Sequence, residues 1–416
     1  MKVTNCRLCQ TGQLSEPKLN LGKTPLANAF VKDKDEPQEE FPLEVCVCES
    51  CGHYQLNENV DPEVLFRHYL YVAGTSAVNV EHFRKYAVDM VERFELKPGI
   101  SKVLDIASND GTLLQQFKDL GISVLGIDPA RNLAEEATKN GIPTIPEFFT
   151  EARADKMLKQ HGQFHLITAN NVMAHLQGQA LSDFVKGVKK LLTPQGVFSF
   201  EISYWPAVVS GSAWDTIYHE HSSYHHITPL IDFFKDNGLS IFKVEHIPNH
   251  GGSVRVFIQL KENTLNGYEG WMTQDDWEVI NNILQKEKNV GQQVEYLSEK
   301  IEDLELTLRK QLRELKNQGK SIAVYGFPAK ATTLIYALGI KKEWIDFAVD
   351  DAPLKQYTYT PGMHIPVLPT SAIYEKKPDV LLVLAWNFAD SIIANHKDYK
   401  GTWIVPLPEL KVIKSQ

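Results

Sequence analysis

The sequence contains no cysteine after position 51, and all five of its cysteines lie before that point. No apolar run reaches the length of a membrane span, and the N-terminus has no hydrophobic signal-peptide region. These absences predict a cytoplasmic protein with no membrane partner, in which clustered cysteines bind metal rather than form disulfides. An excess of positive charge is also missing. The formal net charge is -9, which argues against broad nucleic-acid binding.

The composition is typical of a soluble globular protein. Apolar residues make up 43% of the chain and charged residues 23%. A chain of 416 residues is too long for one hydrophobic core. The length therefore predicts roughly two to four domains.

Four of the cysteines form two CxxC knuckles, Cys6 with Cys9 and Cys48 with Cys51. Two such knuckles supply four thiolates that can close a tetrahedron around Zn²⁺. A closed site has no open position for water, so the predicted zinc is structural. The fifth cysteine, Cys46, lies between two valines and is predicted to be a buried thiol in a strand.

The tract Tyr218-His219-Glu220-His221 places a phenol, a carboxylate and two imidazoles in consecutive positions. An imidazole accepts a proton near neutral pH, a carboxylate orients it, and a phenol donates to a developing oxyanion. These groups suit the removal of a proton from a carbon next to a carbonyl. A His-x-His metal site or a solvated loop fits the tract equally well. In a strand, alternation would send Tyr218 and Glu220 to one side and both histidines to the other, whereas a loop would relax this constraint.

A cofactor pocket is predicted in the middle of the chain. Residues 103–107 are typical of a buried strand, 108–111 of a tight turn, 112–117 of a helix and 124–127 of a second strand that ends at an acid. This is one half of a Rossmann-type fold, with the acid placed for a ribose. The G-x-G-x-x-G fingerprint of dinucleotide sites is absent, and acids near the turn suit the cationic sulfonium of S-adenosylmethionine. The predicted cofactor-binding residues are Asp105, Ala107, Ser108, Asn109, Asp110, Gly111 and Asp128, with Asn170 and Asn171 after the strand 164–169.

The C-terminal third predicts a long helix followed by a second Rossmann-like domain. Apolar residues recur at helical spacing through 275–318, and Gly319 suits the position after the helix end. The apolar stripe favours a packing seam against another domain over a dimeric coiled coil. Strands are predicted at 321–325, 345–349 and 380–384. Gly326 begins a turn into a helix that carries Lys330, a combination suited to an anionic part of a substrate. The alternative is a domain retained for packing, with Lys330 in solvent.

Taken together, these segments resemble one known family, the S-adenosylmethionine-dependent C-methyltransferases that act on nucleotide-linked keto-deoxysugars. The matching segments beyond the two knuckles are residues 21–28, 69–76, 108–111, 170–175, 218–221, 250–255, 326–330 and 385–387. The resemblance implies an α/β protein with a small N-terminal zinc-binding module, a class I methyltransferase Rossmann-like domain and a second Rossmann-like C-terminal domain. We expect these domains at residues 1–74, 75–262 and 263–416.

The resemblance also implies a mechanism. His221 is the general base that forms an enolate, and Tyr218 and Glu220 hold the sugar and stabilise its keto oxygen. Tyr71 matches a tyrosine near the sugar, although a packing role fits it as well, and His175 fits a substrate role or a histidine bonded to backbone. Gly326 and Lys330 are the expected substrate-binding residues.

The implied substrate is a dTDP- or GDP-linked 4-keto-6-deoxysugar, methylated at C3 or, as the alternative, C5. S-adenosylmethionine and structural Zn²⁺ are the implied cofactors, and the expected protein is a monomer with no nucleic-acid partner. The competing functions are a zinc-ribbon nucleic-acid protein and an NAD-dependent sugar oxidoreductase or epimerase.

The sequence departs from the family pattern at three places, one of them a pair of residues. Ala107 stands where the cofactor loop often has glycine, and His165 replaces an acid. Ala331-Thr332 follows Lys330 where Gly-Asn is expected.

Overall fold

The computed structural model describes residues 2–67, 72–248, 252–264 and 271–414. Tyr71, one of the predicted site residues, lies outside the described residues, as do parts of the matching segments 69–76 and 250–255. The described residues form three β-sheets with helices packed around them.

The strands, in chain order, are β1 (Leu19–Thr24), β2 (Phe41–Val47), β3 (Tyr54–Leu56), β4 (Lys102–Ile106), β5 (Ser123–Ile127), β6 (Thr144–Ile145), β7 (Phe164–Thr168), β8 (Leu192–Ser203), β9 (Ser223–Tyr224), β10 (Leu239–Ile247), β11 (Ser253–Leu260), β12 (Ile322–Tyr325), β13 (Phe347–Val349), β14 (Val367–Leu368), β15 (Val380–Val383), β16 (Thr402–Val405) and β17 (Lys411–Lys414).

The helices, in chain order, are α1 (Pro62–Phe66), α2 (Ala77–Arg93), α3 (Thr112–Asp119), α4 (Arg131–Lys139), α5 (Glu151–His161), α6 (Gln179–Leu191), α7 (Trp205–Ser210), α8 (Ile227–Asp236), α9 (Gln274–Glu287), α10 (Val290–Asn317), α11 (Ala329–Ala337), α12 (Ala372–Lys376) and α13 (Ala389–Asn395).

The middle sheet has the order β10-β11-β8-β7-β4-β5-β6. Strands β8, β7, β4, β5 and β6 are parallel, and the β10–β11 hairpin adds two antiparallel strands beside β8. Short apolar runs form the parallel strands because helices cover both of their faces. The carboxyl ends of β4, β5 and β7 are neighbours, so the polar turns after them meet along one edge. The predicted methyltransferase-type Rossmann-like domain is confirmed.

The C-terminal sheet has the order β14-β13-β12-β15-β16-β17, in which only β17 is antiparallel among the pairings described. Strands β13 and β14 are added on one side of β12, and β15 and β16 are added on the other side. The point between β12 and β15 is therefore the switch point, where doubly wound sheets open a crevice. The turn after β12 and the segment after β15 flank this point. The second Rossmann-like domain is therefore also confirmed.

The N-terminal sheet, β1-β2-β3-β9, contains a strand from far along the chain. Strand β9 pairs with β3 through Tyr54 opposite Tyr224 and Gln55 opposite Ser223. The zinc-binding module thus shares a sheet with the segment that follows residues 218–221. Cys46 is buried in β2, as predicted, and burial raises the pKa of its thiol to about 11.

The predicted single helix over 275–318 is wrong, because the structure divides it into α9 and α10 at Lys288 and Asn289. Ile280 and Ile283 of α9 pack into the core of the middle sheet. The stripe of α10 packs instead into the core between the N-terminal and C-terminal sheets. A straight helix could not bury both stripes, so the chain turns between them. The stripe itself is a packing seam, and Gly319 ends α10 with φ 73°.

Among the helices of the described residues, none combines the length and the apolar character needed to cross a bilayer. The proposed boundaries at residues 74 and 262 stay predictions.

Candidate functional site

The tract 218–221 forms a turn between α7 and β9, not a strand. The amide of His221 donates to the carbonyl of Tyr218 over 2.8 Å, which closes the turn. The alternating arrangement expected for a strand therefore does not occur. Instead the rings of Tyr218 and His221 lie side by side, with centroids 4.2 Å apart.

The hydrogen bonds of His221 define its tautomer. Its Nδ1 lies 2.7 Å from the carbonyl oxygen of Thr216, which can only accept a hydrogen bond. Nδ1 therefore carries the proton, and in the neutral ring Nε2 is the acceptor. The phenol oxygen of Tyr218 lies 3.2 Å from Nε2. A fixed Nδ1–H with a basic Nε2 is the arrangement that general bases of this kind use.

The second histidine of the tract points away from this arrangement. His219 is buried, and its Nε2 lies 3.0 Å from the carbonyl of Pro42. Burial lowers the pKa of His219, with the Pro42 carbonyl opposing it. Sequence spacing left open which histidine faces a substrate, and the turn gives the two residues different environments.

Glu220 and His175 complete the immediate surroundings. Glu220 is buried and accepts a 2.6 Å hydrogen bond from Nδ2 of Asn28. The ring of His175 meets that of His221 edge-on, with centroids 5.1 Å apart at 85°. Burial lowers the pKa of His175 to about 3, so this ring is neutral at physiological pH.

A cavity of about 20 Å³, room for about one water molecule, lies between the tract and the edge of the middle sheet. Its lining includes His221 and Thr216 together with Asn171 and Ala174. Asn171 belongs to the turn after β7, one of the turns predicted to bind the cofactor. The tract and the predicted cofactor crevice are therefore adjacent in space.

The cofactor crevice is built by the turns after β4, β5 and β7. Asp128 accepts hydrogen bonds from the amides of Asn109 and Ala130 at 2.8 and 2.7 Å. Asp110 accepts from the amide of Gly74 at 2.9 Å and caps the start of α3. These bonds hold the turn 108–111 in one conformation. The turn ends at Gly111, which has φ 79° and directly precedes α3.

Asp105 is the most perturbed carboxylate of the crevice. It is buried and accepts a 2.6 Å hydrogen bond from the hydroxyl of Thr168. Burial raises its pKa to about 7, the Thr168 hydrogen bond lowers it, and the nearby charge of Asp128 adds to the rise.

The backbone conformation of residue 107 explains why glycine is common at this position in the family. It has φ 57°, in the left-handed region that glycine enters without cost. The glycine common at this position therefore has a backbone reason, and this chain retains the same conformation with an extra methyl group.

The donor set of the crevice fits S-adenosylmethionine. Within the described part of the chain, Oγ of Ser108 and Nδ2 of Asn170 are buried without a hydrogen-bond partner. Buried polar atoms of this kind ordinarily have partners, and a polar ligand supplies them. The acids Asp105, Asp110 and Asp128 lie at the same edge and favour a cationic ligand. When bound, this cofactor supplies an electrophilic methyl group.

The four predicted zinc ligands come together. Their Sγ atoms all lie within 4.8 Å of one another, with Cys6 to Cys51 at 3.6 Å and Cys9 to Cys48 at 3.7 Å. Tetrahedral Zn²⁺ with Zn–S bonds near 2.3 Å requires sulfurs about 3.8 Å apart, so the set fits. Amides of Leu8, Gly12, Ser50 and Cys51 donate to these sulfurs at 3.3–3.4 Å. Such donors stabilise thiolates.

The zinc module also holds the turn that carries His221. Arg7, between two of the zinc ligands, is 2% exposed. Its guanidinium donates to the carbonyl of Ser222 at 3.0 Å and also to that of Leu56. The amide of Leu56 donates to the same Ser222 carbonyl at 3.0 Å. The residue after His221 is thus fixed by the N-terminal sheet.

The predicted anion site in the C-terminal domain has a different environment from the one expected. Nζ of Lys330 lies 3.3 Å from Oδ2 of Asp215 and 4.3 Å from the ring centroid of Trp386. Its side chain is only 16% exposed, so the alternative of a solvated Lys330 is wrong. Gly326 lies against Ala385 with φ 75°, and a Cβ there would overlap that residue.

The sequence reasoning missed several groups of the site. Asn28, Asp215 and Trp386 all lie in or near recognised segments but were not assigned roles. A second missed group is the buried carboxylate of Glu201, which accepts from Arg255 at 2.6 Å and lies 2.9 Å from Nε2 of His82. Arg255 lies directly opposite Glu201 in the β8–β11 pair, so cross-strand charge pairing could have revealed it.

Comparisons with known proteins agree with this layout. Family models match three consecutive stretches of the chain. Residues 6–66 match "Putative zinc binding domain", residues 80–244 match "Methyltransferase domain", and residues 248–408 match "C-methyltransferase C-terminal domain".

Two solved methyltransferase structures resemble part of the chain. An S-adenosylmethionine-dependent methyltransferase from Clostridium acetobutylicum is 14% identical and covers 44% of this chain and 92% of its own, with a TM-score of 0.36. Magnesium protoporphyrin IX methyltransferase from Synechocystis, with SAH bound, is 14% identical and covers 44% of this chain and 86% of its own, with a TM-score of 0.34. At these TM-scores the likeness supports no conclusion about function.

A full-length relative is informative. The C-methyltransferase NovU of Streptomyces niveus is 34% identical over 426 residues, which cover 100% of this chain and 98% of that protein. Together with the three domain matches, this shows that the chain belongs to the S-adenosylmethionine-dependent C-methyltransferase family, with S-adenosylmethionine and zinc as its cofactors.

Proposed function

We propose that this enzyme methylates a nucleotide-linked 4-keto-6-deoxysugar at a carbon next to the ketone, with C3 favoured and C5 as the alternative. His221 is the general base. The observation that carries the proposal is the 2.7 Å hydrogen bond from Nδ1–H of His221 to the Thr216 carbonyl. It fixes the proton on Nδ1 and so makes Nε2 the basic nitrogen, and His221 lines the same small cavity as Asn171 of the predicted cofactor edge.

Proton removal needs a base and a stabilised product. Nε2 of His221 takes the proton from the substrate carbon, and the electron pair of the broken C–H bond delocalises onto the keto oxygen as an enolate. The imidazolium is stabilised because Nδ1–H still donates to the Thr216 carbonyl. Once Nε2 is protonated it no longer accepts from Tyr218, whose phenol then donates to the keto oxygen. The substrate carbon forms its new bond to the methyl group as the bond between that methyl and the sulfonium sulfur would break, leaving S-adenosylhomocysteine.

Glu220 and His175 act on the same substrate. Asn28 holds the Glu220 carboxylate, whose second oxygen can accept a hydrogen bond from a sugar hydroxyl. His175 is neutral, since its lowered pKa of about 3 removes a second charge beside the imidazolium. A neutral neighbour helps His221 accept a proton. Tyr71 is retained as a proposed sugar contact from the family resemblance alone.

The nucleotide part of the substrate is proposed to lie at the crevice after β12 and β15. The amides of Gly326 and Phe327 already donate to the Val349 carbonyl and to Asp350, and Pro328 has no N–H. The backbone donors are therefore the amides at the N-terminus of α11, which begins at Ala329, and Lys330 adds a cation beside them. Asp215 offsets much of that charge, so the amides and one remaining N–H of Lys330 are the expected contacts. Because α10 buries its apolar stripe within the same chain, a monomer is the proposed state.

The central test replaces His221 with asparagine. We expect turnover to fall by roughly 10²–10⁴, the usual worth of a positioned acid–base group, while affinity for S-adenosylhomocysteine stays near wild type. Solvent deuterium exchange into the ketosugar, measured without methyl donor, should be lost in parallel. His219→Asn is the matched control and should keep exchange. An unchanged exchange rate in His221→Asn would remove His221 from the proposed role.

A separate test addresses the substrate. The enzyme is incubated with dTDP- and GDP-linked 4-ketosugars, and the new methyl group is located by NMR. Calorimetry with S-adenosylhomocysteine and with NAD tests the cofactor. Methylation at an oxygen, or tight NAD binding without a response to S-adenosylhomocysteine, would contradict the proposal.

A further inference from the structure

A fully buried carboxylate lies directly before the turn that carries the proposed base. Asp215 belongs to the short 3₁₀ turn Trp214–Thr216, and its side chain is 0% exposed. Neither the zinc site nor the cofactor crevice includes it. A buried carboxylate is strongly unfavourable without compensating partners, so the stability of this conformation depends on the groups that contact Asp215.

The partners of Asp215 come from the C-terminal domain, far along the chain. Nε1–H of Trp386 donates to Oδ2 over 2.5 Å, and Nζ of Lys330 lies 3.3 Å from the same oxygen. The ammonium also lies over the Trp386 ring, 4.3 Å from its centroid. The three side chains contact one another, so removing any one of them takes a favourable contact away from the other two.

A second bond from the same helix fixes the backbone on the other side of Thr216. The hydroxyl of Thr333, in α11, donates to the carbonyl of Ile217 over 2.6 Å. Asp215 and Ile217 are the two neighbours of Thr216, and both are therefore held by α11 or by Trp386. The carbonyl between them accepts Nδ1–H of His221. Its direction depends on both attachments.

We propose that Asp215 is a positioning residue for His221, and that Lys330 and Trp386 of the C-terminal domain orient it. Through Asp215 they fix the Thr216 carbonyl, which selects the Nδ1–H tautomer and leaves Nε2 basic. The inference rests on the proposed role of His221. It gives the C-terminal domain a part in the proton-transfer step in addition to holding substrate.

The sharpest variant is Trp386→Phe, which keeps an aromatic ring under Lys330 and removes a single N–H donor. We expect kcat to fall roughly 10-fold, in line with the loss of one hydrogen bond to a charged group, with KM for both substrates within about twofold of wild type. Nitrogen-15 NMR of the histidine rings should show a mixture of tautomers at His221. Trp277→Phe, at an exposed residue of α9, is the matched control.

A second set of variants separates positioning from anion binding. Lys330→Met leaves Asp215 unpaired, and we expect a large loss of kcat and of thermal stability. Combining it with Asp215→Asn should restore stability but not kcat, because the buried charge is gone and the orientation is not regained. A rise in substrate KM at unchanged kcat in Lys330→Met would overturn the proposal and leave Lys330 as an anion contact.

The two proposals fail in different ways. The tautomer of His221 in Trp386→Phe is read without turnover, and an unchanged single tautomer would refute the positioning role even if His221 is the base. Conversely, deuterium exchange that survives in His221→Asn would refute the base assignment.

Discussion

The carboxylate of Glu287 connects helices α9 and α8, and its removal would show how much this connection contributes to the stability of the protein. Glu287 is the last residue of α9 and is buried. One oxygen accepts from the Tyr204 phenol at 2.8 Å and from the Ile227 amide at 2.7 Å. The other accepts from the amide and hydroxyl of Thr228 at 2.7 and 2.5 Å. A residue of one helix thus caps the N-terminus of another, α8, whose own preceding residue gives no side-chain cap.

We expect Glu287→Ala to destabilise the protein by roughly 2–4 kcal/mol. Loss of an N-cap costs roughly 0.5–2 kcal/mol, and each buried donor left without a partner costs about 1–3 kcal/mol before water enters the gap. Thermal unfolding followed by circular dichroism should show a decrease in Tm of roughly 2–5 °C, because the entropy of unfolding scales with the 416 residues of the chain. Glu287→Gln keeps one carbonyl oxygen and should lose about half as much.

Glu278→Ala, on the exposed face of the same helix, is the control for helix propensity and should change Tm by no more than about 1 °C. If Glu287→Ala had the same Tm as the wild type, the stability of the start of α8 would not depend on this carboxylate.

Three further predictions follow from single features. Ala107→Gly removes left-handed strain and should raise stability by roughly 0.5–1 kcal/mol, seen as a higher Tm. Burial alone would raise the pKa of Glu201, but His82 and Arg255 hold it below its usual 4.5. A lowered carboxyl pKa gives stability that is present above about pH 4.5 and lost as pH falls below it, so the acid-side fall in Tm should be smaller in Glu201→Gln. Removing zinc with a chelator should raise amide exchange in β3 and β9 and at Ser222, while β4 and β5 stay protected. Unchanged exchange in β9 would show that the zinc module does not hold the turn.

The parts of the fold that could be predicted from the sequence are those determined by local pattern. The unit β4, turn and α3 follows from a short apolar run, a small-residue turn and an amphipathic helix. The zinc ligands follow from two CxxC spacings. Each of these signals lies within a few residues, so no knowledge of the tertiary packing is needed.

The break between α9 and α10 could not be predicted, because apolar periodicity continues across it. What changes at residue 288 is the core against which the stripe packs, and a periodic pattern carries no information about its partner. Only the assembled sheets show that Ile283 and Val290 belong to different cores.

The same limit applies to the candidate site. The spacing of His219 and His221 could not distinguish them, since the distinction arises from a turn and from the Thr216 carbonyl. The environment of Lys330 was misjudged because its partner, Asp215, lies in the middle of the chain. The contact between Trp386 and Asp215 spans 171 residues of sequence, and that between Asn28 and Glu220 spans 192.

These long separations share a physical cause. The turn 218–221 lies at the carboxyl edge of the middle sheet, where it has no regular secondary structure to fix it, so its conformation must come from neighbours. Arg7 and Leu56 bind the carbonyl of Ser222 on one side, and α11 holds Asp215 and Ile217 on the other. The role proposed for His221, accepting a proton from a weakly acidic C–H bond, requires a fixed ring, because misplacement by about 1 Å can cost roughly 10²-fold in rate. The three domains are therefore coupled through one short segment, and a substitution in either outer domain can lower turnover without touching substrate.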